Sequence, residues 1–226
     1  MNAQQIVRLL VPAGLFIVLV GSPRTPAVNA GQNAPAPVLN VPNQPVPDVP
    51  LDQLYHEIAP KGAKVTVVEF SDFGCPYCGR FERDEFPVLR KEFVETGKVR
   101  WRFVPFVLGI FPNGSEAMRS ATCVAEQGEA DFWKMHDQLF AHQDEWKSAR
   151  SPEPIFQRYA VASGADAKKF AACYASTRAQ DRETAADALA DRSGVHSTPT
   201  FFVNGRMVEG ALPLAQFRAI LEQLTG

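Results

Sequence analysis

The feature that most constrains this chain is an apolar, β-branched run that ends on two thiols where a helix begins. Lys64 to Phe70 reads KVTVVEF, bounded by Gly62 on one side and Asp72-Phe73-Gly74 on the other, as a buried strand would be. Cys75-Pro76-Tyr77-Cys78 comes next, and a helical pattern runs on towards Val94. Pro87 is expected to kink or divide that helix, because proline lacks an amide donor and crowds the preceding turn. Gly97 ends it, and Lys98 to Phe106 (KVRWRFVPF) returns as a second strand. Strand, helix, strand is a βαβ unit, which implies a parallel pair joined by a right-handed crossover.

From about Asn113 to Ser193 the patterning is helical throughout. Phe132, His136, Leu139 and Phe140 share one helix face, Phe156, Tyr159 and Ala160 another, and Asp166 is a candidate N-cap. After Gly194 the period changes: Thr200–Val203, a turn at Asn204-Gly205 and Arg206–Glu209 form a hairpin signal. Leu212 to Leu224 closes the chain as a helix. The predicted fold class is α/β, with βαβ and ββα halves and a helical insertion over about 107–193 between them. Leu51, Leu54, Tyr55 and Ile58 predict a short amphipathic helix opening this domain, 51–226.

The N-terminal fifty residues set the compartment. A short start with one positive charge at Arg8, the apolar stretch Leu9–Gly21, and small residues at Val28-Asn29-Ala30 follow the order of a secretory signal over 1–30. An uncleaved anchor is the alternative, although a spanning helix needs about 20 apolar residues and Pro12 and Gly14 interrupt this run. Residues 31–50 carry six prolines, no aromatic and one charge, Asp48, which predicts an extended linker. A net charge of −2 with both signs interleaved excludes a nucleic-acid footprint. Four cysteines, Cys75, Cys78, Cys123 and Cys173, are too few for a cystine scaffold but suit an oxidising compartment.

At a helix start the free amides and the macrodipole favour an anion, so a thiolate at Cys75 is stabilised, and the spacing lets Cys78 reach it. Half of a zinc site is the bland alternative; it needs a second ligand pair, and Cys123 and Cys173 stand apart from each other in sequence. Glu69 lies six residues before Cys75, inside the apolar strand, where a carboxylate is expensive without a partner; it is placed to take or give the proton of Cys78, unless it faces solvent from a strand edge. His196, three residues before Pro199, is a candidate tuner of Cys75, and Tyr77 a candidate for shaping redox potential and substrate contact. His56, His136 and His142 show no ligand spacing and read as surface or packing residues. Phe103, Phe106, Phe111, Phe132 and Trp133 read as core, with a share left for an apolar groove. Cys123 and Cys173 are either a structural bridge joining two helices or two buried free thiols.

VVEFSDFGCPYC (67–78) and GVHSTPTFFVNG (194–205), with a helical region between them, resemble the DsbA-like thiol–disulfide oxidoreductases of thioredoxin fold, in their single-domain exported bacterial branch. The resemblance spans about residues 51–226. It implies Cys75 as nucleophile, Cys78 as resolving cysteine, Glu69 as the buried acid, and a cis Thr198-Pro199 bond facing the pair, where an extended substrate segment adds as a strand. It implies no cofactor and no metal. Implied partners are reduced, unfolded secreted proteins and a membrane quinone reductase of the DsbB type; the chain is expected to act as a periplasmic or otherwise extracytoplasmic monomer, tethered if the leader is uncleaved. Two other functions stay open: an isomerase or reductase working from the dithiol, and a non-catalytic chaperone-like module. The CPYC tetrapeptide occurs in glutaredoxins too, which are shorter and lack the insertion.

Overall fold

The computed structural model describes residues 54–226. The predicted leader 1–30, the proline-rich stretch 31–50 and Leu51 lie outside the described residues. Five strands form one mixed sheet: β1 (His56–Ile58), β2 (Val65–Ser71), β3 (Val99–Pro105), β4 (Thr200–Val203) and β5 (Arg206–Glu209). Their order is β1-β3-β2-β4-β5. β2 and β3 run parallel, in register from Val65↔Val99 to Ser71↔Pro105, and every other neighbouring pair is antiparallel. β2 is therefore central and covered on both faces, which is why its sequence is nearly continuous in apolar residues.

The segment expected to be an opening helix is instead β1. Three residues, His56 to Ile58, pair antiparallel with β3 and satisfy its outer edge. The spacing of Leu54, Tyr55 and Ile58 that reads as helical serves edge packing: Leu54 is buried, and the Arg102 guanidinium of β3 stacks 4.3 Å over the Tyr55 ring. An unpaired β3 edge outweighs a few residues of weak helical period.

The helix after Cys75 is divided, as Pro87 requires. α1 (Pro76–Arg80) passes into a π-helical turn, Phe81–Glu85, then α2 (Phe86–Leu89) with Pro87 in its first turn, and a second π turn, Arg90–Val94. The wider first turn buries two successive side chains, Phe81 and Glu82. Trp101 and Phe201 line the sheet face that this run and the C-terminal helix cover, and Phe81 and Phe217 pack into the same aromatic layer. Full burial of each such ring stabilises by roughly 2–3 kcal/mol.

Six helices form the insertion: α3 (Gly114–Ala125), α4 (Glu129–Ala141), α5 (Gln143–Lys147), α6 (Glu153–Ser163), α7 (Ala167–Tyr174) and α8 (Arg178–Arg192). Asp166 caps α7 as anticipated, its Oδ1 accepting from the Lys168 and Lys169 amides at 2.9 Å each. Cys123 on α3 and Cys173 on α7 have Cα atoms 5.5 Å apart and are joined as a disulfide. The hairpin turns on Asn204 and Gly205, both at positive φ (47° and 80°), the geometry that an Asn-Gly pair accommodates. α9 (Leu214–Thr225) closes the domain. Among the described residues, no helix is long and apolar enough to cross a membrane.

Candidate active site

β2 leaves the sheet at Ser71, and Asp72 organises the loop beyond it. One oxygen of this buried carboxyl accepts from the Gly74 amide and the other from the Leu108 amide, each at 2.8 Å, tying the cysteine loop to the loop after β3. Gly74 is needed there because an added Cβ would meet Phe111 at 2.5 Å. Cys75 occupies the N-cap of α1 in extended conformation, and Pro76 takes the first helical position, where its missing amide proton costs nothing.

The two thiols differ sharply. Cys75 is brought down to about 6, first by the hydrogen bond from Cys78 and further by Thr198 and the backbone amides of Cys78 and Tyr77, against the opposing pull of burial. Cys78, fully buried, is pushed well above the usual range by desolvation and by the neighbouring Cys75 sulfur. At neutral pH the reduced pair is one thiolate and one thiol.

Opposite the pair lies the Thr198-Pro199 loop, whose peptide bond is cis. Cys75 Sγ is 3.4 Å from the Thr198 carbonyl oxygen, and the Thr198 hydroxyl is buried without a fixed partner. Tyr77 is 61% exposed beside the pair, with Arg80 against its ring. His196 is exposed on the loop that leads to Thr198, and no hydrogen bond joins it to Cys75 among the described residues. Glu69 is fully buried on β2, and the Trp101 indole donates to its Oε2 at 3.0 Å. Desolvation, reinforced by the adjoining Glu82 carboxyl, raises it well above the carboxylate range. Burial likewise raises Asp72 to about 6.

The insertion reaches the site through α5. Gln143 Nε2 donates to the carbonyls of Phe73 (2.6 Å) and Cys75 (2.9 Å), and Lys147 Nζ donates to that of Gly74 (2.6 Å). Gly79 leaves room for the Gln143 amide, which an added Cβ would meet at 2.1 Å. Trp146 anchors this short helix from behind, its indole donating to Leu139 O at 2.8 Å. With Cys123 and Cys173 bound to each other, the described residues hold no second free thiol pair for a zinc site.

Residues 58–223 match a family model described as Thioredoxin. The chain belongs to the thioredoxin family. Solved structures sharing its fold include oxidised BdbD from Bacillus subtilis, 22% identical with a TM-score of 0.69, covering 76% of this chain and 93% of that one. α-DsbA1 from Wolbachia pipientis is 21% identical with a TM-score of 0.68, over 81% and 94%. Reduced DsbA from Mycobacterium tuberculosis is 25% identical with a TM-score of 0.61, over 76% and 92%. Among curated proteins, Na(+)/H(+) antiporter NhaA 3 from Salinispora tropica is 41% identical over 157 residues, 69% of this chain but 22% of that one. NhaA 1 from Mycolicibacterium gilvum is 33% identical over 164 residues, 71% and 25%. The chain spans about a quarter or less of these curated relatives. Family and architecture together make its fold DsbA-like, within the thioredoxin family.

Sequence reasoning about this family member missed Asp72, Glu82, Gln143 and Lys147. His136, read as a surface or packing residue, is 1% exposed and lies 3.6 Å from Glu82. A signal existed for Glu82, an acid one helical turn beyond Cys78 between Phe81 and Phe86. Nothing local marks Gln143, some seventy positions from the carbonyls it holds.

Proposed function

We propose that the oxidised Cys75–Cys78 pair donates its disulfide to reduced, unfolded exported proteins. A substrate thiolate attacks Cys75 Sγ, the Cys75–Cys78 bond breaks with its electron pair on Cys78, and a mixed disulfide forms. A second substrate thiolate then attacks the substrate sulfur of that bond and releases Cys75 as a thiolate. The substrate dithiol is oxidised, the protein takes up two electrons, and one proton stays on Cys78.

The observation that carries this reading is the asymmetry of the pair. A Cys75 thiol titrating at about 6 is a good leaving group, and its stabilised thiolate favours the reduced protein, which makes the disulfide oxidising. Glu69, buried on the strand that leads to the pair, is proposed as the acid and base for Cys78. The Thr198-Pro199 loop is proposed as the docking edge for an extended substrate segment, with Tyr77 at its rim. The Cys123–Cys173 bond is proposed as structural. The order of segments in residues 1–30 supports export, and relatives named as antiporters support work beside a membrane. A membrane quinone reductase of the DsbB type is proposed to reoxidise the pair.

Equilibration with glutathione tests the direction. A reduction potential nearer the roughly −120 mV of strongly oxidising pairs than the roughly −270 mV of reducing ones is expected. A strongly reducing value transfers the protein to the reductase or isomerase class. Failure of the oxidised protein to oxidise any reduced, unfolded protein leaves a binding module.

A further inference from the structure

Proton transfer to Cys78 raises a problem that Glu69 alone does not solve. Cys78 and Glu69 are both fully buried, so an acid that gives up its proton must be recharged from somewhere. The Ser71 hydroxyl, two residues along β2 from Glu69 and on the same face, lies towards both the Glu69 carboxyl and the Cys78 thiol, and it has no fixed partner of its own. Beyond Glu69 stands the Glu82 carboxyl, on the π turn after α1. No amide or hydroxyl donates to Glu69 Oε1 or to either oxygen of Glu82, so two adjoining acids share this space with no arginine or lysine at ion-pair distance, Arg90 acting on Glu82 only from farther off. Such a pair holds at least one proton. Glu82 is raised to about 8 by its burial, which keeps that proton exchangeable near neutrality.

The line of groups continues outward. Glu82 Oε2 is 3.6 Å from His136 Nε2, and His136 Nδ1 is 2.9 Å from Asp137, whose side chain is 64% exposed. Glu82, His136, Asp137, Pro87 and Arg90 line a cavity of about 300 Å³ on this flank. The remaining surroundings of His136 are rings: Phe73, Phe103, Phe132, Trp133 and Phe140. The charged or titratable groups facing it are Glu82 from the π turn, Glu69 from β2, Asp137 on its own helix, and His56 from β1; Arg90 acts on Glu82, and Arg83 lines the same cavity.

We propose that Glu82 and His136 form a proton relay between solvent at Asp137 and Glu69, through which the buried Cys78 gains and loses its proton. An imidazole suits this place because it accepts a proton at Nδ1 and delivers one from Nε2. When the Cys75–Cys78 bond opens, Cys78 takes a proton by way of Ser71 and Glu69, Glu69 takes one from Glu82, and Glu82 takes one from His136. His136 is refilled from water. When the pair is reoxidised, the same steps run backwards and release one proton. The relay rests on the proposed role of Glu69 in disulfide exchange.

The test is the rate at which dithiothreitol reduces the Cys75–Cys78 disulfide, followed across pH in the parent chain, Glu82→Gln and His136→Ala. Near neutrality each variant is expected to react about tenfold slower, a fraction of what a directly acting acid contributes. The Cys75 thiolate titration, read by ultraviolet absorbance, is expected to stay in place, and added imidazole is expected to restore His136→Ala along its own titration curve. The parent is also expected to show a solvent deuterium effect that Glu82→Gln diminishes, a readout independent of how well His136→Ala folds. Variants within about twofold of the parent, or a slowing that imidazole leaves untouched, overturn the relay. If that result comes with a parent that exchanges normally, only the relay falls; a parent that does not exchange sinks the proposed function with it.

Discussion

Cys75 and Cys78 stand three positions apart at the mouth of α1, while Cys123 and Cys173 stand fifty apart inside the helical insertion. All four are buried. Their settings are otherwise opposite. Cys75 sits at a helix N-terminus, with amide donors, a partner thiol and the Thr198 loop around its sulfur. Cys123 and Cys173 lie in the last turns of α3 and α7, where the helix macrodipole disfavours a thiolate, and both belong to the apolar core. One pair is placed so that its bond breaks easily; the other closes a long loop. Burial alone therefore says little about a cysteine, and the direction of the helix that carries it says much.

The comparison breaks first on exchange itself. Cys75→Ser is expected to abolish oxidation of a reduced peptide, a loss of at least about a thousandfold. Replacing Cys123 and Cys173 together by alanine is expected to leave the rate within about twofold. A large loss of exchange in the double variant, with folding intact, would end the division of labour.

Stability should respond the other way. The double alanine variant is expected to lose about 4 kcal/mol in denaturant unfolding, from the entropy of the fifty-residue loop that the bond closes. Reducing only Cys75–Cys78 at alkaline pH is expected to leave the protein as stable or more so, since an oxidising disulfide is one that the fold prefers open. A reduced form that is clearly weaker would contradict the thiolate argument.

The strap from the insertion gives a smaller effect. Gln143→Ala leaves two buried carbonyls, those of Phe73 and Cys75, without their donor, at a cost of about 2 kcal/mol by thermal or denaturant unfolding. Because the same change loosens the loop that aims amides at Cys75, its thiol titration is expected to rise too. An unmoved titration would mean that α5 only supports the fold.

The gentlest signature is a slope. Cys75 titrates at about 6 in the folded dithiol protein against 9.0 for an unperturbed thiol. Its folded value is depressed, so the stabilisation is full above the unfolded value and disappears as pH falls to the folded one. Unfolding free energy of the reduced protein, relative to the oxidised protein, is expected to fall by about 1.4 kcal/mol per pH unit between roughly pH 9 and 6. A flat difference over that window would place Cys75 among ordinary thiols, beside the two in the insertion.

What could be read from the amino-acid order was local. A β-branched run ending at Cys75, a proline that divides a helix, an Asn-Gly turn and an Asp166 cap each act within a few residues, so composition and spacing suffice to specify them. The βαβ and ββα halves, the insertion and the proposal of Cys75–Cys78 as the redox pair all came from such signals. Tertiary structure decided the rest. His56–Ile58 became a strand because β3, over forty positions away, had an edge to cover. Gln143 and Lys147 became part of the site because α5 folds back onto the cysteine loop, and Glu82 met Glu69 and His136 because three elements converge on one apolar space. The physical reason is the same in each case: hydrogen bonding and charge act over a few ångströms of space, and only folding determines which residues come that close.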